Sequence, residues 1–257
     1  MKITLLGAGS AYGTPMIFNE WRLAKHDNPK NIRTRASVLL EDNEKSILID
    51  AGPDLRNQIN TNNIKNIDAV LLTHGHYDHI AGIPELPRAA KILGHGIDVM
   101  ASSETLGEIR SCFGYLFEEK VHAEPDSKKL NWKIIPDYGV FDVVGLRLDA
   151  MQFPHHLLHS SGFRYKNFAY VTDWQEMPSA SLEKLQGLDL LFIECNNGIY
   201  PEINGHGDLF KIKELFADIM PKRVVLTHLS ARVDFDELSR LIPDNWQVGY
   251  DGLILEL

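Results

Sequence analysis

The chain has 257 residues, 44% hydrophobic and 24% charged, the composition of a folded globular protein rather than a disordered or fibrous one. Its 26 basic and 35 acidic residues leave a formal net charge of -9, which argues against a surface built for non-specific nucleic-acid binding. Cys112 and Cys195 form no CxxC pair, so no disulfide framework is expected and a reducing, cytoplasmic setting is.

The opening MKITLLGAGSA has a lysine and an apolar run, as a signal peptide does, but the run is too short for one. No apolar stretch in the sequence is long enough to span a bilayer, so no membrane partner is expected. Ile3 to Leu6 reads as a first strand, followed by GAGSAYGTP. The third glycine of that run falls one position late for a dinucleotide fingerprint, and Thr14-Pro15 stands where a helix would start. A glycine-rich turn that brings backbone close to a cleft fits better. Lys30, Arg33 and Arg35 follow, either as a solvated entrance to the next strand or as phosphate-attracting groups. A strand-turn-strand pair is predicted over Ala36 to Glu41 and Ser46 to Asp50. Asp54 is placed to cap a short helix carrying Leu55 and Ile59.

The stretch AVLLTHGHYDHIAG, Ala69 to Gly82, carries the chemistry. An apolar strand, Asp68 to Leu72, gives way to His74, His76, Asp78 and His79, four metal-ligand types within six residues. Loops at strand ends suit such a site because the scaffold fixes their base. Asp78 falls in the first turn of a helix, where the backbone favours negative charge.

Beyond it, Ile97 to Met100 reads as a strand and Ser103 to Phe117 as a helix capped by Ser102 or Ser103. Leu106, Ile109, Phe113 and Phe117 would form its buried face, with Tyr115 and Leu116 widening it toward a partner surface or lid. EPDSKK reads as a turn, Trp132 to Ile135 as a strand, and Phe141 to Phe153 as strand-like alternation. One of His155, His156 and His159 is then the third nitrogen ligand. NFAYVTD delivers Asp173 at a strand end. Ser179 to Leu185 is helical in character, Leu188 to Glu194 is another strand, and His206 lies in a loop before a helix over Leu209 to Met220. PKRVVLTHLS ends on His228. Asp236 to Leu241 and a closing strand region around Val248 to Leu257 complete one domain, residues 1–257, without an internal repeat.

Ligands spread over several strand ends point to two metals rather than one closed structural zinc, and histidine with carboxylate suits zinc, manganese or iron. Asp173 has two oxygens with which to bridge them. Two such ions generate a hydroxide near neutral pH and stabilise attacking and leaving oxygens, which phosphodiester hydrolysis requires.

The motifs THGHYDH, FPHHLLHSSGFR, YVTD, NGHGDL and THLS resemble the metallo-β-lactamase superfamily, particularly its PhnP-like cyclic phosphodiesterase branch, and the resemblance covers nearly the whole chain. It implies an α/β fold, a four-layer αββα sandwich with the metals at one edge of the sheets. It implies His74, His76 and His156 on one of two divalent ions, zinc or manganese. Asp78, His79 and His228 would hold the other, with Asp173 bridging. His156 takes the third place because it precedes Gly162 by six residues. His206 matches a family histidine that holds phosphate or protonates a leaving group, so Asp78 and His206 are the candidates for direct catalytic work.

Several relatives hold a further structural zinc through amino-terminal cysteines and a histidine after the last catalytic one. Here PMIFNEWRLAKHDNP has no cysteine and Ala231 stands at that histidine's place, so this zinc is not expected. The function implied is hydrolysis of a small cyclic phosphodiester, such as a phosphoribosyl 1,2-cyclic phosphate, by a dinuclear-metal hydroxide. A transfer-RNA 3′-processing nuclease is disfavoured by the acidic balance, and a non-catalytic metal-dependent binding or sensing protein is the other alternative. A homodimer stays open.

Overall fold

A computed structural model describes residues 1–118, 129–201, 205–217, 219 and 221–257. Two seven-stranded sheets organise the chain. The first contains β1 (Lys2–Gly7), β2 (Ser37–Asp42), β3 (Lys45–Ile49), β4 (Ala69–Leu71), β5 (Ile97–Ala101), β6 (Leu130–Ile134) and β14 (Leu253–Glu256), in the order β14-β1-β2-β3-β4-β5-β6. The second contains β7 (Gly139–Val143), β8 (Leu146–His155), β9 (Leu158–Tyr165), β10 (Phe168–Val171), β11 (Leu190–Glu194), β12 (Arg223–Thr227) and β13 (Trp246–Val248), ordered β13-β12-β11-β10-β9-β8-β7. Each sheet changes from antiparallel to parallel pairing part-way across, at β3–β4 in one and at β10–β11 in the other. Parallel neighbours need crossovers, so the helices fall on the outer faces.

Three apolar clusters define four layers. Between the sheets, Ile3, Val38, Ile49 and Leu71 meet Leu148, Phe163, Tyr170 and Phe192. Outside the first sheet lie α1 (Leu55–Thr61), α3 (Leu86–Leu93) and α4 (Ser103–Phe113), burying Leu55, Leu86 and Ile109 against Leu39, Val70 and Val99. Outside the second, α5 (Ser179–Lys184), α6 (Leu209–Leu215) and α7 (Phe235–Ser239) border a cluster of Phe153, Trp174, Ile193, Ile212 and Leu238. Each large apolar side chain fully buried in these layers contributes about 1.5–3 kcal/mol of transfer free energy. The αββα sandwich is the architecture of this chain.

Several elements differ from the sequence expectation. Asp54 does not cap α1 with its side chain; it accepts instead from the Arg35 amide at 2.9 Å and pairs with the Arg35 guanidinium at 3.2 Å. The long helix beginning at Ser103 stops at Phe113, where the backbone leaves helical angles, and a 3₁₀ turn carries Gly114–Phe117. Ser102 is its cap, accepting from the Thr105 amide. Leu116 is buried and Tyr115 half exposed. The helix after His206 ends at Leu215; Met220 lies outside the described residues, as does most of the EPDSKK segment. The alternating run from Phe141 divides into β7 and β8, because Val144 and Gly145 both take positive φ and close a two-residue hairpin. Helix α3, with Pro87 in its first turn and Gly94 left-handed at its end, had no counterpart in the sequence reading.

Candidate metal centre

The site lies where the carboxyl ends of the parallel strands meet. Asp50 follows β3, Thr73 and His74 follow β4, Asp173 follows β10, Glu194 ends β11 and His228 follows β12. Parallel strands direct their carboxyl ends to one edge, which is where open α/β sheets place ligands. Asp50, Asp173 and His228 all adopt positive φ, a backbone cost that the surrounding packing holds in place. Asp78 and His79 are presented by the short helix α2 (Tyr77–Ile80).

Ligand atoms fall into overlapping groups, each with its members within 4.8 Å of one another. One joins His74, His76 and His155; another joins Asp78, His79 and His228; a third joins His74, His79 and Asp173. Asp173 stands between them. Its Oδ1 is 3.6 Å from His155 Nε2, while its Oδ2 is 3.2 Å from His79 Nε2 and 3.4 Å from His228 Nε2. His79 Nε2 also lies 3.0 Å from Asp78 Oδ2, yet it is buried and makes no hydrogen bond. A buried ring nitrogen without a hydrogen bond, facing carboxylate oxygens at the centre of these groups, suits a cation between them, and the nitrogen and carboxylate set suits a divalent ion.

The third histidine departs from expectation. His155, at the end of β8, is buried and joins the His74 and His76 group. His156, assigned that place from its distance to Gly162, is exposed with φ 53°. The reason is register. His155 pairs with Leu158, so His156 and Leu157 form the hairpin tip, and Leu157 is 96% exposed. Among the described residues His156 belongs only to a rim group with His155 and His206, and His159 turns outward to Glu104 at 3.2 Å.

Two carboxylates escaped the sequence reading although each ends an apolar strand as Asp173 does. Asp50 Oδ2 is 2.7 Å from His79 Nδ1. Glu194 Oε1 is 2.5 Å from His206 Nδ1, while its Oε2 accepts from the Trp174 amide. Burial disfavours charge on His206, but Glu194, and behind it Asp173 and Asp78, raise its pKa to about 9. Burial pushes His155 down to about 3, so its ring is neutral and able to ligate. Burial would raise the Asp78 carboxyl, but His79 and His228 hold it below the carboxylate range.

A cavity of about 1070 Å³ opens over these groups, walled by Tyr12, Arg35, Asn197, His206 and Arg232 among others. The glycine-rich turn after β1 reaches it through Ser10 and Ala11, and the Ser10 amide donates to the Leu229 carbonyl at 3.1 Å. Arg33 does not face the cavity. It is buried, donating to Ser230 O at 3.3 Å, to Asn31 Oδ1 at 2.6 Å and to Val233 O, and so ties the segment leading into β2 to the loop after His228.

The family model of the Beta-lactamase superfamily domain matches residues 45–229, from β3 through the last histidine of the site. The chain belongs to the metallo-β-lactamase superfamily. A relative named Octanoyltransferase, from Porphyromonas gingivalis, is 31% identical over 258 residues. The match takes in 98% of this chain but only 51% of that protein, so the chain spans about half its length. Coenzyme PQQ synthesis protein B of Methylorubrum populi is 33% identical over 309 residues, covering 100% of both chains. Among solved structures, a diphosphatase from the PhnP family superposes with a TM-score of 0.89 at 27% identity, covering 100% of this chain and 97% of that one. This superfamily member therefore carries clustered histidine and carboxylate groups able to hold one or two divalent ions, on a fold shared with metal-dependent hydrolases. Among the described residues no helix is long and apolar enough to cross a membrane.

Proposed function

We propose that the chain is a dinuclear metal-dependent phosphodiesterase acting on a small cyclic phosphodiester. The carrying observation is the position of Asp173, whose two oxygens face two different ligand groups. In this reading His74, His76 and His155 hold one ion, Asp78, His79 and His228 hold the other, and Asp173 serves both. Bound there, zinc or manganese would supply Lewis acidity and an activated water.

The chain's own part is to place the diester and manage its protons. Glu194 stabilises the charged ring of His206 through Nδ1, which keeps a proton on Nε2 for the departing oxygen. The similarity to a PhnP-family diphosphatase supports phosphate-ester chemistry. The name octanoyltransferase belongs to a protein of which this chain matches half.

The test is turnover by the metal-loaded protein. A bis-aryl phosphodiester and a ribose cyclic phosphate should both be hydrolysed, and Asp173→Ala should lose metal and nearly all turnover while staying folded. Cleavage of a transfer-RNA precursor without hydrolysis of either small diester would replace this reading with a nuclease. Two bound metals without turnover of any ester would make the protein a binding or sensing module.

A further inference from the structure

The loops after β11 and β12 are laced together around His228. The Cys195 amide donates to the Thr227 carbonyl at 2.9 Å. On the other side of the histidine, the Asn196 carbonyl accepts from the Ser230 amide at 3.3 Å and from the Ser230 hydroxyl at 2.7 Å. The backbone thus fixes Asn196 beside the ring, and its half-buried side chain lines the cavity. His228 Nε2 lies 3.4 Å from Asp78 Oδ2 and 3.4 Å from Asp173 Oδ2, in the position proposed for ligation. Among the described residues, Nδ1 has two polar neighbours, the Asn196 amide at 3.2 Å and Glu194 Oε1 at 3.8 Å. Glu194 is already committed, through Oε1 to His206 Nδ1 and through Oε2 to the Trp174 amide. Asn196 is therefore the hydrogen-bond partner of His228 Nδ1.

An amide can offer that nitrogen either end, and the ring proton decides which. Nδ2 donates only to a bare Nδ1, which puts the ring proton on Nε2, between Asp78 and Asp173, and leaves no lone pair there for an ion. After a half-turn of the amide, Oδ1 occupies the same space, accepts a proton on Nδ1 and frees Nε2 to ligate. Nδ2 and its two protons then stand at the far end of the amide, where no hydrogen bond to another described residue competes for them.

We propose that Asn196 is bifunctional: Oδ1 accepts from His228 Nδ1 and holds the ring for ligation, while Nδ2 donates to an oxygen of the ester in the cavity. The donor half rests on the phosphodiesterase reading; the positioning half does not. Wild type, Asn196→Ala and Asn196→Asp decide both, since neither substitution removes the backbone bonds of Asn196. Titration with manganese should show affinity reduced roughly 10- to 100-fold in Asn196→Ala, the typical effect of losing the partner of a ligating histidine. Asn196→Asp, whose carboxylate accepts the same proton, should restore it. Equal affinity in all three proteins, or an Asp variant as weak as the Ala variant, would overturn the positioning role. At saturating manganese both variants still lack the donor, and kcat/KM on a bis-aryl phosphodiester should fall by roughly 100-fold. The loss in Asn196→Ala, which adds no charge, separates a missing donor from repulsion by a carboxylate. Wild-type kcat/KM in that variant would remove the donor role. If the wild type turns over no ester, the phosphodiesterase reading fails separately, and binding of inorganic phosphate to the manganese-loaded proteins decides the donor. Affinity roughly tenfold weaker in Asn196→Ala supports it, and equal affinity rejects it.

Discussion

At Thr73 one hydroxyl sets the state of two rings. It donates to Asp50 at 3.0 Å and lies 3.0 Å from His74 Nδ1, whose proton it accepts, leaving His74 Nε2 for the site. Asp50 in turn fixes the proton of His79 on Nδ1, which leaves Nε2 facing Asp78 and Asp173. Glu194 does the same for His206. The choice between adjacent histidines follows equally local rules: His155 is the last ladder residue of β8, and His156 is the first residue of the turn. His155→Ala should therefore lose metal and reduce turnover roughly 100-fold or more, since even the partners of metal ligands are worth 10- to 100-fold. His156→Ala should keep its metal complement. Elemental analysis of the two variants, purified side by side, checks this; metal lost from His156→Ala alone would return the ligand to His156.

At the scale of elements, the site is an alignment of strand ends, and one of its tight joints is between the turn after β3 and helix α2. A Cβ on Gly52 would stand 2.1 Å from the carbonyl oxygen of Asp78. Only glycine lets the turn touch the helix that carries Asp78 and His79. Gly52→Ala is expected to destabilise the fold by about 1–3 kcal/mol, as overpacking does, and to weaken metal binding as α2 is displaced. Denaturation midpoints and metal titration together test this, and wild-type values for both would show that the contact relaxes freely. The strand ends themselves were readable in the sequence, because an apolar run broken by His or Asp marks where a strand gives way to a loop. That signal singled out His74, His76, Asp78, His79, Asp173 and His228, whose ligand atoms the fold gathers into neighbouring groups. It stayed silent on Asp50 and Glu194, which lie at the ends of equally apolar runs but act through histidines brought to them from distant segments. Register was the other blind spot. Counting back from Gly162 does not reveal where a hairpin turns, and that turn decides which of two neighbouring histidines points inward. Arg33 was misjudged for a related reason: its partners, Ser230 and Val233, lie about two hundred residues away.

For the molecule as a whole, a buried carboxylate away from the metal centre sets part of the dependence of stability on pH. Asp251, in the turn before β14, accepts from the Ala8 amide at 2.8 Å, the Thr34 amide at 2.7 Å and the Thr34 hydroxyl at 2.6 Å. It thereby joins the ends of β1, β14 and the approach to β2. Burial raises its pKa to about 6, against the opposing pull of those hydrogen bonds and of Arg33. The folded chain thus keeps this proton up to about pH 6, whereas the unfolded chain releases it near 3.8. Between these values the folded state binds more protons, so the contribution is fully present below the unfolded value and is lost as pH rises through about 6. A shift of this size corresponds to roughly 3 kcal/mol. Metal release in acid acts in the opposite direction on total stability, so wild type and Asp251→Asn must be compared at each pH, where the metal contribution is common to both. Urea denaturation of the pair from about pH 7.5 down to about pH 4 should show the wild type gaining on the variant by a few kcal/mol as pH falls. A difference that stays constant across that range would mean that Asp251 remains charged in the fold, with its three hydrogen bonds outweighing its burial.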